Sequence, residues 1–351
     1  MNLQSIASEY RERFFTRYGH QLNADQWSAF NALSGCRQGQ YGDLLLSCQS
    51  CPSQTTMPRS CGHRACNQCQ HQNTQQWLER QLQKQLPVDY YMATFTLPYE
   101  LRSLAKAHPK IVYAQLMRSA TVVLKRFGLN KKGLQAELGL CAVLHTHTRK
   151  LDYHPHVHIV VPGGGIHRAR REWRKVKDDY LFNGRALATA FRGELLHQLA
   201  AEGLPLPTTP SRWIVQCQKV GRGKEVLQYL SRYLYRGVIS NQNIVEDDGT
   251  SITFRYRESK TNTWKTRTLL GEEFIALLLQ HVLPKGFRRS RDYGFLHGNA
   301  KAVLRIVQWV LRVERPAPKE KNTVSIPCSQ CSGSMQVVGI RAARASPPKS
   351  K

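Results

Sequence analysis

The distribution of cysteines constrains this chain more than any other feature of its sequence. Six of the ten cysteines lie between Cys36 and Cys69, and four of these form two Cys-x2-Cys pairs separated by 14 residues. Each pair offers two thiolates on a tight turn, and two such turns complete the tetrahedral coordination of Zn²⁺. The spacing therefore predicts a structural zinc site with four ligands: Cys48, Cys51, Cys66 and Cys69.

The remaining cysteines leave the number of zinc ions open. Cys36, Cys61 and His63 lie close enough to the first site in sequence to form a second one. Disulfides are rare in reducing compartments, so a dense cysteine cluster in such a protein indicates metal rather than cross-links. Cys328 and Cys331 form another pair far along the chain, and the sequence assigns no role to it.

The chain also carries a large positive charge. Its 51 Lys and Arg against 24 Asp and Glu give a formal charge of +27. Such an excess favours a polyanionic partner, and nucleic acid is the first expectation. Six of the ten residues from 168 to 177 are basic, and we predict that Arg168, Arg170 and Arg171 contact DNA.

The apolar residues exclude two other classes of protein. An apolar content of 41% is enough for a folded core, which excludes a disordered chain. No apolar run approaches the roughly 18 residues that a membrane-spanning helix needs. The first residues lack the apolar stretch of a signal peptide. We therefore expect a cytoplasmic protein without a membrane partner.

Strand-like and helical segments alternate after residue 87, and one hairpin follows, which favours an α+β fold. Aromatic and β-branched residues predict strands at 88–97, 138–148, 153–161 and 213–220, and a hairpin at 251–257 and 263–269. Apolar periodicity predicts helices at 72–86, 106–127, 185–202, 224–236 and 272–283.

Histidines mark the most apolar of these strands. Side chains at positions i and i+2 of a strand point to one face, so His156 and His158 can bind one metal ion together. His154 shares that face but lies roughly 13 Å from His158 at about 3.3 Å per residue. The third ligand should therefore come from a neighbouring strand, where His145 and His147 are both candidates.

A tyrosine pair marks the helix predicted at 224–236. Tyr229 and Tyr233 are four residues apart, so they lie on one helix face, with Arg232 and Arg236 beside them as candidate DNA contacts. Tyrosines at this spacing are usually core residues. Beside a metal-binding strand in a strongly basic chain, however, a tyrosine hydroxyl can attack a phosphodiester and form a phosphotyrosine.

His156-Val157-His158 followed by Tyr229-x3-Tyr233 resembles the HUH endonuclease superfamily. The surrounding sequence resembles the rolling-circle insertion-sequence transposases of that superfamily, the IS-ninety-one group. The similarity extends from about Cys36 to Phe295 and includes several segments in order: Ser60–Cys69, Ala142–Thr146, His154–Gly165, Tyr229–Asn241, Thr253–Arg257, Trp264–Thr268 and His281–Phe287.

The resemblance implies an N-terminal helical and zinc-binding module over residues 1–86 and an HUH-type palm over 87–295. In such a palm, helices flank a central antiparallel sheet. We expect residues 296–351 to form a basic C-terminal segment that is partly disordered.

The resemblance also implies the chemistry. His156, His158 and His145 would bind catalytic Mg²⁺ or Mn²⁺, and Tyr229 and Tyr233 would be the nucleophiles. Such enzymes nick single-stranded DNA at the element ends, remain attached to the 5′ end and transfer the strand to a target without ATP. We expect a bacterial transposase that is associated with the nucleoid when active.

Two alternatives stay open at this point. A replication initiator or a relaxase uses the same histidine pair and tyrosine, and a zinc-containing regulator could bind DNA without cutting it. The sequence does not define the oligomeric state or the recognised DNA sequences.

Overall fold

A computed structural model describes residues 2–176, 181–235, 238–258, 261–314 and 325–343, with His71 and residues 232–235 described by their backbone alone. The helices are α1 (Leu3–Glu9), α2 (Arg11–Tyr18), α3 (Ala24–Gly35), α4 (His71–Leu82), α5 (Arg102–Ala107), α6 (Pro109–Gly128), α7 (Gly184–Ala201), α8 (Lys224–Tyr235), α9 (Gly271–Leu279) and α10 (Lys301–Val310). The strands are β1 (Asp43–Cys48), β2 (Gln54–Pro58), β3 (Tyr90–Thr96), β4 (Gly139–His147), β5 (Tyr153–Pro162), β6 (Gly164–His167), β7 (Glu172–Lys175), β8 (Val215–Lys219), β9 (Ile244–Asp247), β10 (Ser251–Arg257), β11 (Trp264–Leu270), β12 (Ser290–Gly294), β13 (Ile326–Pro327) and β14 (Ser334–Arg341).

A five-stranded sheet with the order β12-β4-β5-β3-β8 forms the centre of the molecule, and all its neighbouring strands are antiparallel. Two of its three interior strands, β4 and β5, are almost entirely buried. A strand covered on both faces usually has a nearly continuous apolar run, and most of β4 has one. β5 departs from this pattern, because His154, His156 and His158 alternate with other residues before its apolar end. The predicted α+β class, with helices around a central antiparallel sheet, is confirmed.

The two faces of this sheet have different neighbours. Phe95, Leu144 and Ile159 lie on one face, in the main core that includes residues of α5, α6 and α7. The other face carries Val143 and Val160, which pack with residues of α4 and α8. Because side chains alternate along a strand, this second face also carries the histidines of β4 and β5.

The N-terminal helices pack on a separate part of the chain, the β9–β11 sheet and α9. Tyr10, which follows α1, donates a hydrogen bond from its hydroxyl to Asp247 Oδ1 at 2.5 Å. Its ring lies so close to Gly271 that a Cβ added there would be 1.9 Å from it. Glycine at the start of α9 therefore permits this contact.

The C-terminal strands join the N-terminal module, which differs from the predicted division of the chain. The small sheet has the order β13-β14-β1-β2, so β14 pairs with β1 across nearly the whole sequence. The described residues between 296 and 351 thus include α10 and two paired strands, rather than forming only a separate basic segment. This pairing connects distant segments, so local patterns do not reveal it.

The predicted helices and strands of the central domain occur within a few residues of their expected positions. The sequence patterns do not predict β1, β2, β6, β7, β9, β12, β13, β14, α5 or α10. In the part of the chain that the structure describes, no helix has the length and apolar character needed to cross a membrane.

Candidate catalytic and zinc-binding sites

Three histidines meet on the face of the central sheet that α4 and α8 cover. In the register of β4 and β5, His145 lies directly opposite His156, and His158 is two residues further along β5. One ring nitrogen from each of His145, His156 and His158 lies within 4.8 Å of the others. We call these three residues the histidine triad.

Hydrogen bonds orient two of the three imidazole rings. His156 Nδ1 lies 2.7 Å from the carbonyl oxygen of His154, to which it can only donate a proton. His158 Nδ1 lies 2.9 Å from Thr94 Oγ1 on the neighbouring strand β3. The carbonyl oxygen fixes the proton of His156 on Nδ1, and the Thr94 hydroxyl can accept a proton from Nδ1 of His158; in that tautomer the Nε2 lone pair of each ring is available to a metal ion.

The electrostatic environment keeps these rings neutral. Burial lowers the pKa of His156 to about 4 and that of His158 to about 3. Burial also holds the pKa of His145 well below its usual value, and the neighbouring His158 and His156 lower it further. Because a histidine must be deprotonated to bind a metal ion, the triad has the required form at neutral pH.

The other histidines nearby lie outside the triad. His147 contacts His281, with 5.2 Å between the ring centroids, and His281 Nε2 donates to the carbonyl oxygen of Leu151. His154 Nδ1 accepts a hydrogen bond from Arg102 at 2.6 Å. The geometry therefore selects His145, rather than His147, as the neighbour of the pair on β5.

The tyrosine helix lies over the same face of the sheet. Tyr229 on α8 is partly buried against a cluster that includes Val143 and Val160. It also lines a cavity together with His147 and Arg255. The backbone of Tyr233 belongs to α8, but its side chain and that of Arg232, like the whole of Arg236, lie outside the described residues.

A basic groove of about 1180 Å³ runs between α4 and the edge strand β12. Trp77 of α4 donates from Nε1 to Ser290 Oγ at 3.0 Å, and Lys84 binds Asp292 at 2.6 Å, so side chains hold the two walls together. Its basic lining residues are Arg64, Arg80, Lys84, Arg288, Arg289 and Arg291.

One end of the basic groove approaches the histidine triad. The carbonyl oxygen of Arg289 accepts a hydrogen bond from the backbone nitrogen of Leu144, next to His145. The positive charge of Arg289 contributes to lowering the pKa of His145. The sequence patterns do not reveal this groove, although the three arginines at positions 288, 289 and 291 are a visible signal.

The predicted arginine cluster lies elsewhere on the surface. Arg168 forms an ion pair with Glu137, and Arg170 is exposed. Arg171 lines a cavity of about 640 Å³ with Arg305, Arg312 and the exposed side chain of Trp309. This surface combines cations with an aromatic ring.

Eight of the ten cysteines form two groups of four, and the grouping differs from the predicted one. Cys66 and Cys69 lie with Cys36 and Cys61, whereas Cys48 and Cys51 lie with the C-terminal pair Cys328 and Cys331. In each group the sulfur atoms lie within 4.8 Å of one another. His63 belongs to neither group, and its Nδ1 accepts a hydrogen bond from the backbone nitrogen of Ala65.

The β1–β2 hairpin explains why the two cysteine pairs fall into different groups. Cys48 and Cys51 lie at its tip, whereas Cys36 precedes β1 and Cys61 follows β2, at its base. In a strand of six residues the first and last Cα atoms are about 17 Å apart, at about 3.4 Å for each of the five steps. The 14 residues between the two cysteine pairs include β2, so they do not form a simple loop that brings the pairs together. The spacing alone therefore predicts the wrong partners for each cysteine pair.

The fold and the sites together define a class of protein. A central antiparallel sheet carries a His-x-His pair, and a cysteine-rich module precedes it. Residues 139–303 match the family "Putative transposase", and residues 3–97 match the family "Transposase zinc-binding domain".

Two relatives identify the family. "Putative transposase y4qJ" of Sinorhizobium fredii is 32% identical over 339 residues, covering 87% of this chain and 85% of the relative. The "Transposase for insertion sequence element IS801" of Pseudomonas savastanoi pv. phaseolicola is 27% identical over 291 residues, covering 78% of this chain and 70% of the relative. The chain belongs to the insertion-sequence transposases of the IS-ninety-one group.

Solved structures show a weaker similarity. The metal-free conjugative relaxase TrwC in complex with oriT DNA is 16% identical, with a TM-score of 0.29 over 64% of this chain and 73% of the relaxase. TrwC complexed with a 27-mer DNA comprising the recognition hairpin and the cleavage site gives a TM-score of 0.28 at the same identity, over 64% of this chain and 75% of the relaxase. Similarity at this TM-score is too weak to support a conclusion about this chain.

Proposed function

We propose that this transposase nicks single-stranded DNA at the ends of its element through a tyrosine, and transfers the attached strand by a rolling-circle mechanism. The histidine triad is the observation that carries the proposal, because its neutral, oriented rings lie on the sheet face that the tyrosine helix covers. Burying three polar imidazole rings together costs free energy, so such a cluster is more typical of a functional site than of an ordinary core.

The triad fits a divalent metal ion. Its rings are neutral, and His154 and Thr94 fix two of them with Nε2 available. Imidazole is a softer donor than Mg²⁺ prefers, so we expect Mn²⁺ to bind more tightly than Mg²⁺. When bound, the ion would polarise the scissile phosphodiester and offset its negative charge.

The tyrosine hydroxyl performs the covalent step. Its oxygen forms a bond to phosphorus as it loses its proton, the bond from phosphorus to the 3′ oxygen breaks, and that oxygen takes up a proton. The product is a 5′-phosphotyrosine and a 3′-OH. Because the phosphotyrosine retains the bond energy, another 3′-OH can reverse the reaction without ATP.

We assign both tyrosines of α8 as nucleophiles. Tyr229 and Tyr233 are about 40° out of register at 3.6 residues per turn. A second nucleophile lets the enzyme cut again while the first DNA end is still attached, as transfer of a displaced strand requires. We therefore expect Y229F and Y233F each to retain some cleavage and to lose most transposition.

The basic groove offers a path for the DNA strand. It collects six cationic side chains around one carboxylate and ends near the triad, so a bound phosphate backbone would lead toward the site of cleavage. An unpaired strand is narrow enough to bring a single phosphate under α8. In a duplex, the paired strand would make the DNA wider and hold that phosphate away from α8. The surface around Arg171 and Trp309 would form a second DNA contact, with Trp309 stacking on a base.

The groove can be tested through the salt dependence of binding. For single-stranded DNA, each neutralised phosphate contributes about −0.7 to the slope of log K against log salt concentration. R80A combined with R291A should therefore reduce the slope by about 1.4. R185A, an exposed arginine on α7, is the matched control. An unchanged slope in the double variant would exclude this path.

We also propose that Cys36, Cys61, Cys66 and Cys69 bind a structural Zn²⁺. Cys36 Sγ and Cys61 Sγ lie 3.5 and 3.4 Å from Cys69 Sγ, near the edge of about 3.8 Å that a tetrahedron with Zn–S bonds of 2.3 Å requires. We expect C66S to destabilise the N-terminal module rather than to change the chemistry.

Covalent capture tests the proposed function. The full chain is incubated with single-stranded element ends and Mn²⁺, and an adduct that survives boiling in detergent is expected. Excess EDTA, or H156A combined with H158A, should abolish the adduct and leave salt-sensitive binding largely intact. DNA binding without any adduct would instead indicate a protein that binds but does not cut.

A further inference from the structure

One of the two groups of four cysteines connects the N-terminal module to the C-terminal strands. Cys48 and Cys51 lie in the N-terminal module, whereas Cys328 and Cys331 lie beyond both matched regions. We propose that these four cysteines bind a second structural Zn²⁺, which fastens the C-terminal strands to the N-terminal module. We call this group the terminal zinc site. It does not depend on the proposed DNA chemistry.

The sulfur positions fit zinc better than disulfides. Cys48 Sγ and Cys51 Sγ each lie 3.5 Å from Cys331 Sγ, and Cys51 Sγ lies 3.8 Å from Cys328 Sγ. A disulfide requires about 2.05 Å between sulfurs. Zn–S bonds of about 2.3 Å in a tetrahedron place the sulfurs about 3.8 Å apart, close to the observed distances.

The backbone around each pair has the form of a zinc knuckle. Cys48 and Cys51 lie at the tip of the β1–β2 hairpin, and Cys328 and Cys331 lie in the turn between β13 and β14. The backbone nitrogen of Ser50 donates to Cys48 Sγ at 3.3 Å, and that of Gln330 donates to Cys328 Sγ at 3.4 Å. Such N–H groups stabilise the negative charge of a thiolate ligand.

The sheet that carries the site has very little core of its own. Its buried apolar residues are Leu46, Cys328 and Met335, while Val337, Val338 and Ile340 of β14 are exposed. At the end of β1 away from Cys48, Arg341 forms an ion pair with Asp43. An ion pair at such an exposed position contributes little to the stability of the fold. Small structures with so little buried apolar surface usually need a metal or a disulfide to be stable.

The position of the ligands has a consequence for assembly of the protein. Cys51 and Cys328 are 277 residues apart, so the site is complete only when both ends of the chain have come together. Zinc bound there would stabilise the pairing of β14 with β1. The Cys48–Cys51 pair would otherwise hold only half of a coordination shell.

The zinc content of purified full-length protein tests the proposal. We expect two zinc ions per chain in the wild type and one in C328S/C331S. C217S is the matched control, since Cys217 lies in neither group, and it should keep both ions. A C328S/C331S protein with the wild-type zinc content would overturn the proposal, whereas loss of one ion in this variant alone would support it.

A second measurement uses the wild-type chain and does not depend on folding of a variant. Alkylation followed by peptide mapping reports the reactivity of each thiol before and after zinc is removed. Although Cys331 is exposed, we expect zinc to protect it, and chelation should make all four thiols of the terminal zinc site reactive. If Cys331 and Cys328 react equally fast with and without zinc, the proposal is wrong.

Discussion

The hydrogen bond between Thr94 and His158 should set the affinity of the triad for metal. Binding a metal ion through Nε2 requires His158 to carry its proton on Nδ1, and in T94V that Nδ1–H has no acceptor from Thr94, at a residue that is only 9% exposed. Leaving such a donor buried costs about 1–3 kcal/mol. The ring can avoid this cost by moving its proton to Nε2, but Nε2 then cannot bind a metal ion.

To bind a metal ion, His158 of the T94V variant must therefore return its proton to Nδ1, where the acceptor is missing. Loss of an outer-shell partner typically lowers metal affinity about 10- to 100-fold, which corresponds to about 1.4–2.7 kcal/mol. We expect T94V to need about 10- to 100-fold more Mn²⁺ for half-maximal adduct formation, with a similar plateau at saturation.

Two variants control this experiment. T94S keeps the hydroxyl and should behave like the wild type. T96V changes the next residue on the same face of β3, whose hydroxyl makes no hydrogen bond to any residue that the structure describes. If T94V leaves the Mn²⁺ dependence unchanged, or if T96V shifts it equally, Thr94 does not orient His158 as we argue.

Two further predictions concern stability. G271A should lower the free energy of unfolding by about 2 kcal/mol or more because its Cβ would displace the Tyr10 ring, whereas G193A, where a Cβ meets nothing within 4 Å, should be neutral or stabilising; chemical denaturation compares them. Burial lowers the pKa of His281 from 6.5 to about 4, so the unfolded chain takes up a proton at this residue before the folded chain does. The free energy of unfolding therefore falls as the pH drops below 6.5, by up to about 3 kcal/mol from this group. H281Q should therefore show a flatter decline in unfolding free energy from pH 7 to pH 4; an equally steep decline would contradict this.

The central sheet could be predicted because its signals are local. The apolar runs of β4 and β5, and the alternation that places His156 and His158 on one face, can be read within ten residues of sequence. The partner of this pair could not be read in the same way. The register of β4 against β5 is irregular between His145 and His147, and that register decides which of them lies opposite His156.

The two cysteine groups and the basic groove depend on contacts between distant segments. The spacing of the Cys-x2-Cys pairs correctly indicated zinc chemistry, but the partner of Cys51 lies 277 residues away in the C-terminal pair. Likewise, Arg80 and Arg291 face one groove only because α4 packs beside β12. Local spacing identifies candidate ligands and charges, whereas tertiary pairing determines which of them meet.

The most direct test of the proposed chemistry is to identify the residue that carries the DNA. The full chain is incubated with single-stranded element ends and Mn²⁺, the adduct is digested, and the peptide attached to the 5′ phosphate is sequenced by mass spectrometry. We predict attachment at Tyr229 or Tyr233, a shift to the remaining tyrosine in Y229F and in Y233F, and no adduct in the double variant. Attachment to any other residue, or an adduct that persists in the double variant, would contradict the account.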